Sequence, residues 1–201
     1  MTPDLHLVMH GVAIKKHGTA AAIAGIIDKP VNLVNDVLAQ AVVGDRVIDT
    51  DGKYMLSPAG QMIVAGEYSR FCRELRADQS FVQAYDQFEL INTELKQLIT
   101  DWQTMDVGGK RVSNDHSDKD YDDKIIDRLG ELHERFEPIL GRMVSVSARM
   151  KVYSDKLEAA LEKAEDGDID WVSAADLESY HTVWFEMHED LLRVLGRVRE
   201  E

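Results

Sequence analysis

The stretch 51-DGKYMLSPAGQMIVAGEY-68 decides the fold of the first part of this chain. Asp51-Gly52 is a typical hairpin turn, and it separates two short β patterns, Arg46–Ile48 and Lys53–Leu56. Ser57 followed by Pro58 is an N-terminal helix signal. The stretch therefore predicts a β-hairpin that leads into a long helix ending near Arg76.

Three shorter helices are predicted before this hairpin, each from apolar residues at helical spacing. They cover residues 4–16, 19–27 and 31–42. Helix, helix, helix, hairpin, long helix is the order of a winged helix-turn-helix domain, which we assign to residues 1–77. The hairpin stretch also resembles the wing and following helix of the MarR-like winged-helix group, in which a Leu-Thr/Ser-Pro-x-Gly segment leaves the second wing strand. That resemblance implies a fold and not a function, because winged helices also serve as protein-interaction modules.

The third helix would carry DNA recognition if the domain binds DNA. Its candidate base-reading residues are Asn32, Asn35 and Gln40, and the wing adds Lys53. Phosphate anchoring normally requires Arg or Lys on this helix and on the wing. DNA binding is therefore disfavoured, although adenine readout by Asn and Gln stays an alternative.

Residues 78–201 form the second predicted domain, an acidic helical bundle. The first 76 residues carry eight basic and eight acidic groups. The remainder carries fifteen basic and twenty-nine acidic groups, and 15 − 29 gives the whole net charge of −14. An apolar stripe from Phe81 to Trp102 predicts a core helix, with a homodimer seam as the alternative. The predicted fold class is thus mainly α, a winged helix with a small β-hairpin wing followed by an acidic bundle.

The segment 179-SYHTVWFEMHEDLL-192 is the most chemically suggestive part of the bundle. On a helix, His181 and His188 share the apolar face with Tyr180 and Trp184, whereas Glu186, Glu189, Asp190 and Arg193 fall on the other side. Two histidines seven residues apart are separated by about 10 Å along the helix axis, too far to bind one zinc ion. We predict no metal and no cofactor. Either a small-molecule pocket or a packed core with hydrogen-bonded histidines fits this face.

Three segments, "TDWQ", "NDHSDKDYD" and the one just quoted, resemble a helical module associated with actinobacterial phosphoenolpyruvate-utilising enzymes related to pyruvate phosphate dikinase. The chain lacks the Gly-rich segment with Thr/Ser-x-His that carries the phosphorylated histidine in those enzymes. The resemblance implies an accessory or regulatory subunit of such a system. Carried over residue by residue, it implies a ligand site formed by Trp102, Asn114, Asp115, His116, Tyr180, His181, Trp184, His188 and Glu189.

Two functional hypotheses follow. The first is a non-catalytic accessory or regulatory protein that binds a protein partner or a small ligand. The second is a ligand-responsive, MarR-like DNA-binding regulator. The sequence has no apolar run long enough for a membrane span and no signal-peptide pattern, so we expect a cytoplasmic protein, and its single cysteine, Cys72, is predicted to be a buried thiol.

Overall fold

The computed structural model describes residues 3–199. Over this range the chain is mainly helical, with two small antiparallel sheets. It divides into two compact units, one formed by the described residues up to Gln79 together with those from Glu186 onward, and one formed by Ser80–Phe185.

The first unit contains five helices, three strands and the last part of a sixth helix. In chain order the elements are α1 (Asp4–Lys15), β1 (Gly18–Thr19), α2 (Ala20–Ile27), α3 (Val31–Val43), β2 (Val47–Thr50), β3 (Lys53–Leu56), α4 (Pro58–Phe71) and α5 (Arg73–Ala77). The sheet order is β1-β3-β2, and all pairs are antiparallel. The predicted helices and the hairpin are confirmed within a few residues. The two-residue strand β1 was not predicted, because two residues give no periodicity.

Local hydrogen bonds explain why the hairpin and the fourth helix begin where they do. The Asp49 carboxylate accepts a hydrogen bond from the Gly52 amide in the hairpin turn. Ser57 accepts one from the Gly60 amide at 2.9 Å and caps α4. A Cβ atom on Gly60 would lie 1.9 Å from the Arg46 carbonyl oxygen, so only glycine permits this close approach between α4 and the residue that precedes β2. The predicted single helix to Arg76 is interrupted at Cys72, whose side chain is buried as predicted.

The second unit is built around long helices with one buried face each. Its elements are α6 (Gln79–Gln103), β4 (Thr104–Val107), β5 (Lys110–Ser113), α7 (Lys119–Val146), a 3₁₀ turn (Ala148–Met150), α8 (Lys151–Glu165), α9 (Asp170–Ser173) and the start of α10 (Tyr180–Leu195). The apolar stripe from Phe81 to Trp102 is buried within this unit, which confirms the core interpretation of it. A turn at Gly108-Gly109 joins a hairpin, β4–β5, which was not predicted because its short and largely exposed strands have no alternating pattern.

Three local signals in this unit predict helix boundaries that the structure does not have. Pro138 predicts a break or a kink in its helix; there is no break, because α7 continues to Val146 and the buried side chains on both sides of the proline offset its missing hydrogen bond. The capping box predicted at Ser80 lies inside α6. The N-terminal cap predicted at Ser173 closes a short helix instead, and Ser179 accepts the hydrogen bond from the Thr182 amide at the start of α10.

The residues from Glu186 onward belong to the first unit, and Glu186 and Asp190 pair with residues of α1. Within residues 3–199, no helix is long and apolar enough to cross a membrane.

Candidate functional site

The residues Trp102, Asn114 and His116 come together in the second unit, with Asp122 as an additional member. The Asn114 side-chain amide donates to the Trp102 carbonyl oxygen at 3.0 Å and to the Asp122 carboxylate at 2.7 Å. The other Asp122 oxygen lies 3.0 Å from His116 Nδ1, and the imidazole packs on the Trp102 indole with ring centroids 4.5 Å apart. Asp122 is only 3% exposed, so this network fixes the imidazole from its buried side.

His116 also lies at the edge of an open cleft of about 780 Å³. The cleft runs along the first turns of α7 and the turn that follows α8, and Ile126, Ala164 and Ile169 supply its apolar surface. Asp123, Asp127 and Glu165 are exposed along it, with Lys119 as a basic neighbour. Carboxylates in this number favour cationic over anionic groups in the cleft.

Asp115 contributes to the local turn and not to the buried network. Its carboxylate accepts a hydrogen bond from the Ser117 amide at 3.1 Å, and hydrogen bonding to Ser117 lowers the pKa of this exposed carboxyl. His133 of α7 is hydrogen-bonded elsewhere, because its Nδ1 atom lies 3.1 Å from the Tyr180 hydroxyl.

Tyr180 and Trp184 lie in the packed core of the second unit. They are 0% and 2% exposed, and the Trp184 ring contacts Phe88 and Phe136 with centroid distances of 5.1 and 4.5 Å. The indole N–H donates to the Asn92 side-chain oxygen at 3.0 Å. Both side chains therefore have the contacts of core residues, and burial raises the pKa of the Tyr180 hydroxyl well above its usual range.

The remaining predicted residues of α10 do not share one environment. His181 is half-buried in the second unit, where burial lowers its pKa. His188 is 2% exposed and belongs to the first unit. Glu189, also in the first unit, forms an i,i+4 ion pair with Arg193 at 2.8 Å.

Sequence reasoning missed a buried polar network in the first unit. His10 Nε2 lies 3.0 Å from an Asp190 oxygen, and His10 Nδ1 lies 2.8 Å from the Tyr68 hydroxyl. Asp190 is fully buried, although helical periodicity placed it on the polar side of α10. Burial raises the pKa of the Tyr68 hydroxyl, so this group keeps its proton and can donate it to Nδ1. The His10 ring then donates from Nε2 to Asp190.

A second polar contact between α1 and α10 lies one turn before Asp190 on α10. Lys15 Nζ lies 2.8 and 2.9 Å from the two Glu186 oxygens, and both side chains are nearly buried. The Arg76 side chain donates to the Val194 carbonyl oxygen at 2.7 Å near the C-terminal end of α10. One sequence signal could have found this region: His6 and His10 lie four residues apart on a helix that is otherwise apolar, and they indicate buried acceptors elsewhere in the chain.

The four candidate DNA-binding residues are all on the surface of the first unit. Asn32, Asn35 and Gln40 are exposed on one side of α3, and Lys53 is exposed at the start of β3. All four side chains are therefore accessible to a binding partner.

No group of three or more His, Cys, Asp or Glu side chains within residues 3–199 is arranged to hold a metal ion. Comparisons of the chain with protein-family models, with curated proteins and with solved structures gave no match.

Proposed function

We propose that this chain is a non-catalytic accessory or regulatory protein that binds a protein partner through α3 and the β2–β3 hairpin. The order α1-β1-α2-α3-β2-β3-α4, with sheet order β1-β3-β2, supports a winged helix-turn-helix domain in which α3 is the recognition helix. The resemblance of residues 51–68 to the MarR-like group supports the same assignment.

The charge and apolar exposure of this surface carry the proposal. Between Val31 and Gly52 the chain has four acidic residues and a single basic one, Arg46. The same segment exposes Val31, Val43 and Ile48 at 44%, 87% and 43% of their surface. Exposed aliphatic side chains on a surface that is rich in acidic residues and poor in basic ones suit contact with a protein better than contact with the phosphate backbone of DNA.

Electrostatics argue against DNA as the main partner. Binding to duplex DNA depends on Lys and Arg side chains that neutralise phosphates and release counterions. A segment with a local charge of 1 − 4 = −3 would instead be repelled. The second candidate function, a ligand-responsive MarR-like DNA-binding regulator, is favoured only by the exposure of Asn32, Asn35 and Gln40 on one side of α3.

The chemistry of the partner follows from the second resemblance. It implies a phosphoenolpyruvate-utilising enzyme, for which this chain would act as an accessory subunit while the phosphoryl transfer takes place on the partner. The acidic bundle would then belong to the regulatory part of the assembly.

Co-elution tests the proposal directly. The full chain and a phosphoenolpyruvate-utilising enzyme of the same source are mixed and passed over a size-exclusion column, and we expect one complex. Val43→Asp should remove the complex, because it places a charge on the proposed interface. Met62→Asp, at a residue of α4 that is 78% exposed, is the matched control and should leave the complex unchanged.

DNA binding is measured in parallel by fluorescence anisotropy at about 150 mM salt, where surface charges are screened beyond about 8 Å. Sequence-selective binding that Asn32→Ala with Asn35→Ala abolishes would refute the proposal in favour of the regulator. The absence of a complex, with no DNA binding either, would refute both.

A further inference from the structure

The β4–β5 hairpin is a two-stranded sheet that is open to solvent over most of its length, because residues 106–113 are all exposed. The strand register places four side chains on one face of it, those of Met105, Val107, Lys110 and Val112. On this face Val107 and Val112 are 56% and 41% exposed. An isolated two-stranded hairpin is only marginally stable in water. Covering this aliphatic face with another molecule would therefore stabilise the hairpin.

The hairpin also carries two basic side chains that have no acidic partner. Lys110 and Arg111 form no ion pair with any carboxylate within residues 3–199. Consecutive residues of a strand point to opposite faces, so these two side chains lie on different faces of the hairpin. Asp106 is opposite Arg111 in the register, but its carboxylate accepts a hydrogen bond from the Gly109 amide at 2.8 Å in the turn. Within the described chain, the hairpin thus presents one unpaired cation on each face.

The open cleft beside His116 (the His116 cleft) has the complementary charge. Four exposed carboxylates line it, two from the first turns of α7 and two from the C-terminal end of α8: Asp123, Asp127, Glu165 and Asp166. None of the four forms an ion pair with another side chain of the described chain, and Lys119 is the one basic residue that also lines the cleft. The cleft therefore carries uncompensated negative charge on two elements, which matches a hairpin with a cation on each of two faces.

We propose that this chain forms a two-fold symmetric homodimer in which the β4–β5 hairpin of each copy lies in the His116 cleft of the other. Lys110 would face the carboxylates of one element of the cleft and Arg111 those of the other, while Val107 contacts the half-exposed Ile169. Each chain carries both surfaces, so two-fold symmetry forms the same contact twice. The apolar stripe of α6 is buried in the core of the second unit and cannot form the seam of this dimer. The interface lies within the second unit and does not depend on the partner proposed for the first.

Sedimentation equilibrium of the full chain over a range of protein concentrations tests the inference. We expect a monomer–dimer equilibrium whose association constant falls at least tenfold between about 50 mM and about 500 mM salt, because attractions between exposed charges are screened. A chain that stays monomeric up to millimolar concentration at the lower salt would overturn the proposal. A dimer whose association constant does not change with salt would overturn it as well.

Charge reversal locates the two surfaces. A hairpin variant, Lys110→Glu with Arg111→Glu, and a cleft variant, Asp127→Lys with Glu165→Lys, should each dimerise at least tenfold more weakly than the natural chain. An equimolar mixture of the two variants should associate at least tenfold more tightly than either variant alone, because each reversed surface then meets its opposite charge. Lys96→Glu, at an exposed residue of α6 that lines neither surface, is the control and should dimerise as the natural chain does. Natural dimerisation by either double variant, or no association in the mixture when circular dichroism shows both variants folded, would refute the assignment.

Discussion

Replacing Asp190 by alanine should destabilise the first unit more than the loss of any exposed carboxylate would. The Asp190 side chain is fully buried and lies 3.0 Å from His10 Nε2, so the substitution leaves a buried ring N–H without its acceptor. Leaving a buried donor without its acceptor costs about 1–3 kcal/mol of the free energy of unfolding. Urea denaturation followed by far-ultraviolet circular dichroism measures this loss, and hydrogen exchange by mass spectrometry should place it in α1 and the end of α10.

The neighbouring Glu189→Gln is the matched control. Glu189 is partly exposed; it makes an i,i+4 pair with Arg193, which is worth about 0.3–0.5 kcal/mol, and a longer contact of 3.8 Å with Arg199. A double-mutant cycle with His10→Ala isolates the pair itself, and the double variant should be more stable than the sum of the single losses predicts, by about 0.5–3 kcal/mol. Additive losses, or an Asp190→Ala variant as stable as Glu189→Gln, would show that the contact does not hold the helix in place.

Two further predictions concern backbone fit and pH. Gly60→Ala should prevent or severely weaken folding of the first unit, because the new methyl group would clash with the Arg46 carbonyl oxygen. Gly66 lies on the same helix with nothing within 4 Å of an added Cβ atom, so Gly66→Ala should stabilise the unit by about 0.5–1 kcal/mol. Thermal unfolding of both variants measures the difference. Burial lowers the pKa of His133 in the folded chain, so the unfolded chain binds more protons below pH 6.5 and stability should fall as the pH falls. Unfolding by urea at pH 7 and pH 5 should show a smaller loss for His133→Gln than for the natural chain, and an equal loss would contradict the role of burial.

Much of the helical architecture could be predicted because its signals are local. Apolar spacing, the Ser57 cap and the Asp-Gly turn each act within a few residues, and the structure uses all of them. Pro138 misled the prediction for the opposite reason. Its local cost is real, but the apolar face of α7 is buried on both sides of it, and that tertiary packing outweighs one lost hydrogen bond.

The polar interior of the first unit could not be predicted in the same way. Periodicity treats every carboxylate as a solvent-facing group, and it therefore assigned Glu186 and Asp190 to the exposed side of α10. Their partners, Lys15 and His10, lie more than 170 residues earlier in the chain, and no local pattern joins such positions. Only the buried histidine on an apolar helix hinted that an acceptor was needed.

The prediction of ligand-binding residues was limited in the same way, because it too depends on distant elements of the chain. Aromatic and histidine side chains on one face fit a pocket as well as a core, and the difference lies in what the other elements place against them. For Trp184 those elements supply aromatic rings and an acceptor for the indole N–H, so the ring and its N–H group already contact other core side chains. A binding site is indicated more reliably by hydrogen-bonding capacity that the fold leaves unused than by a concentration of reactive residue types.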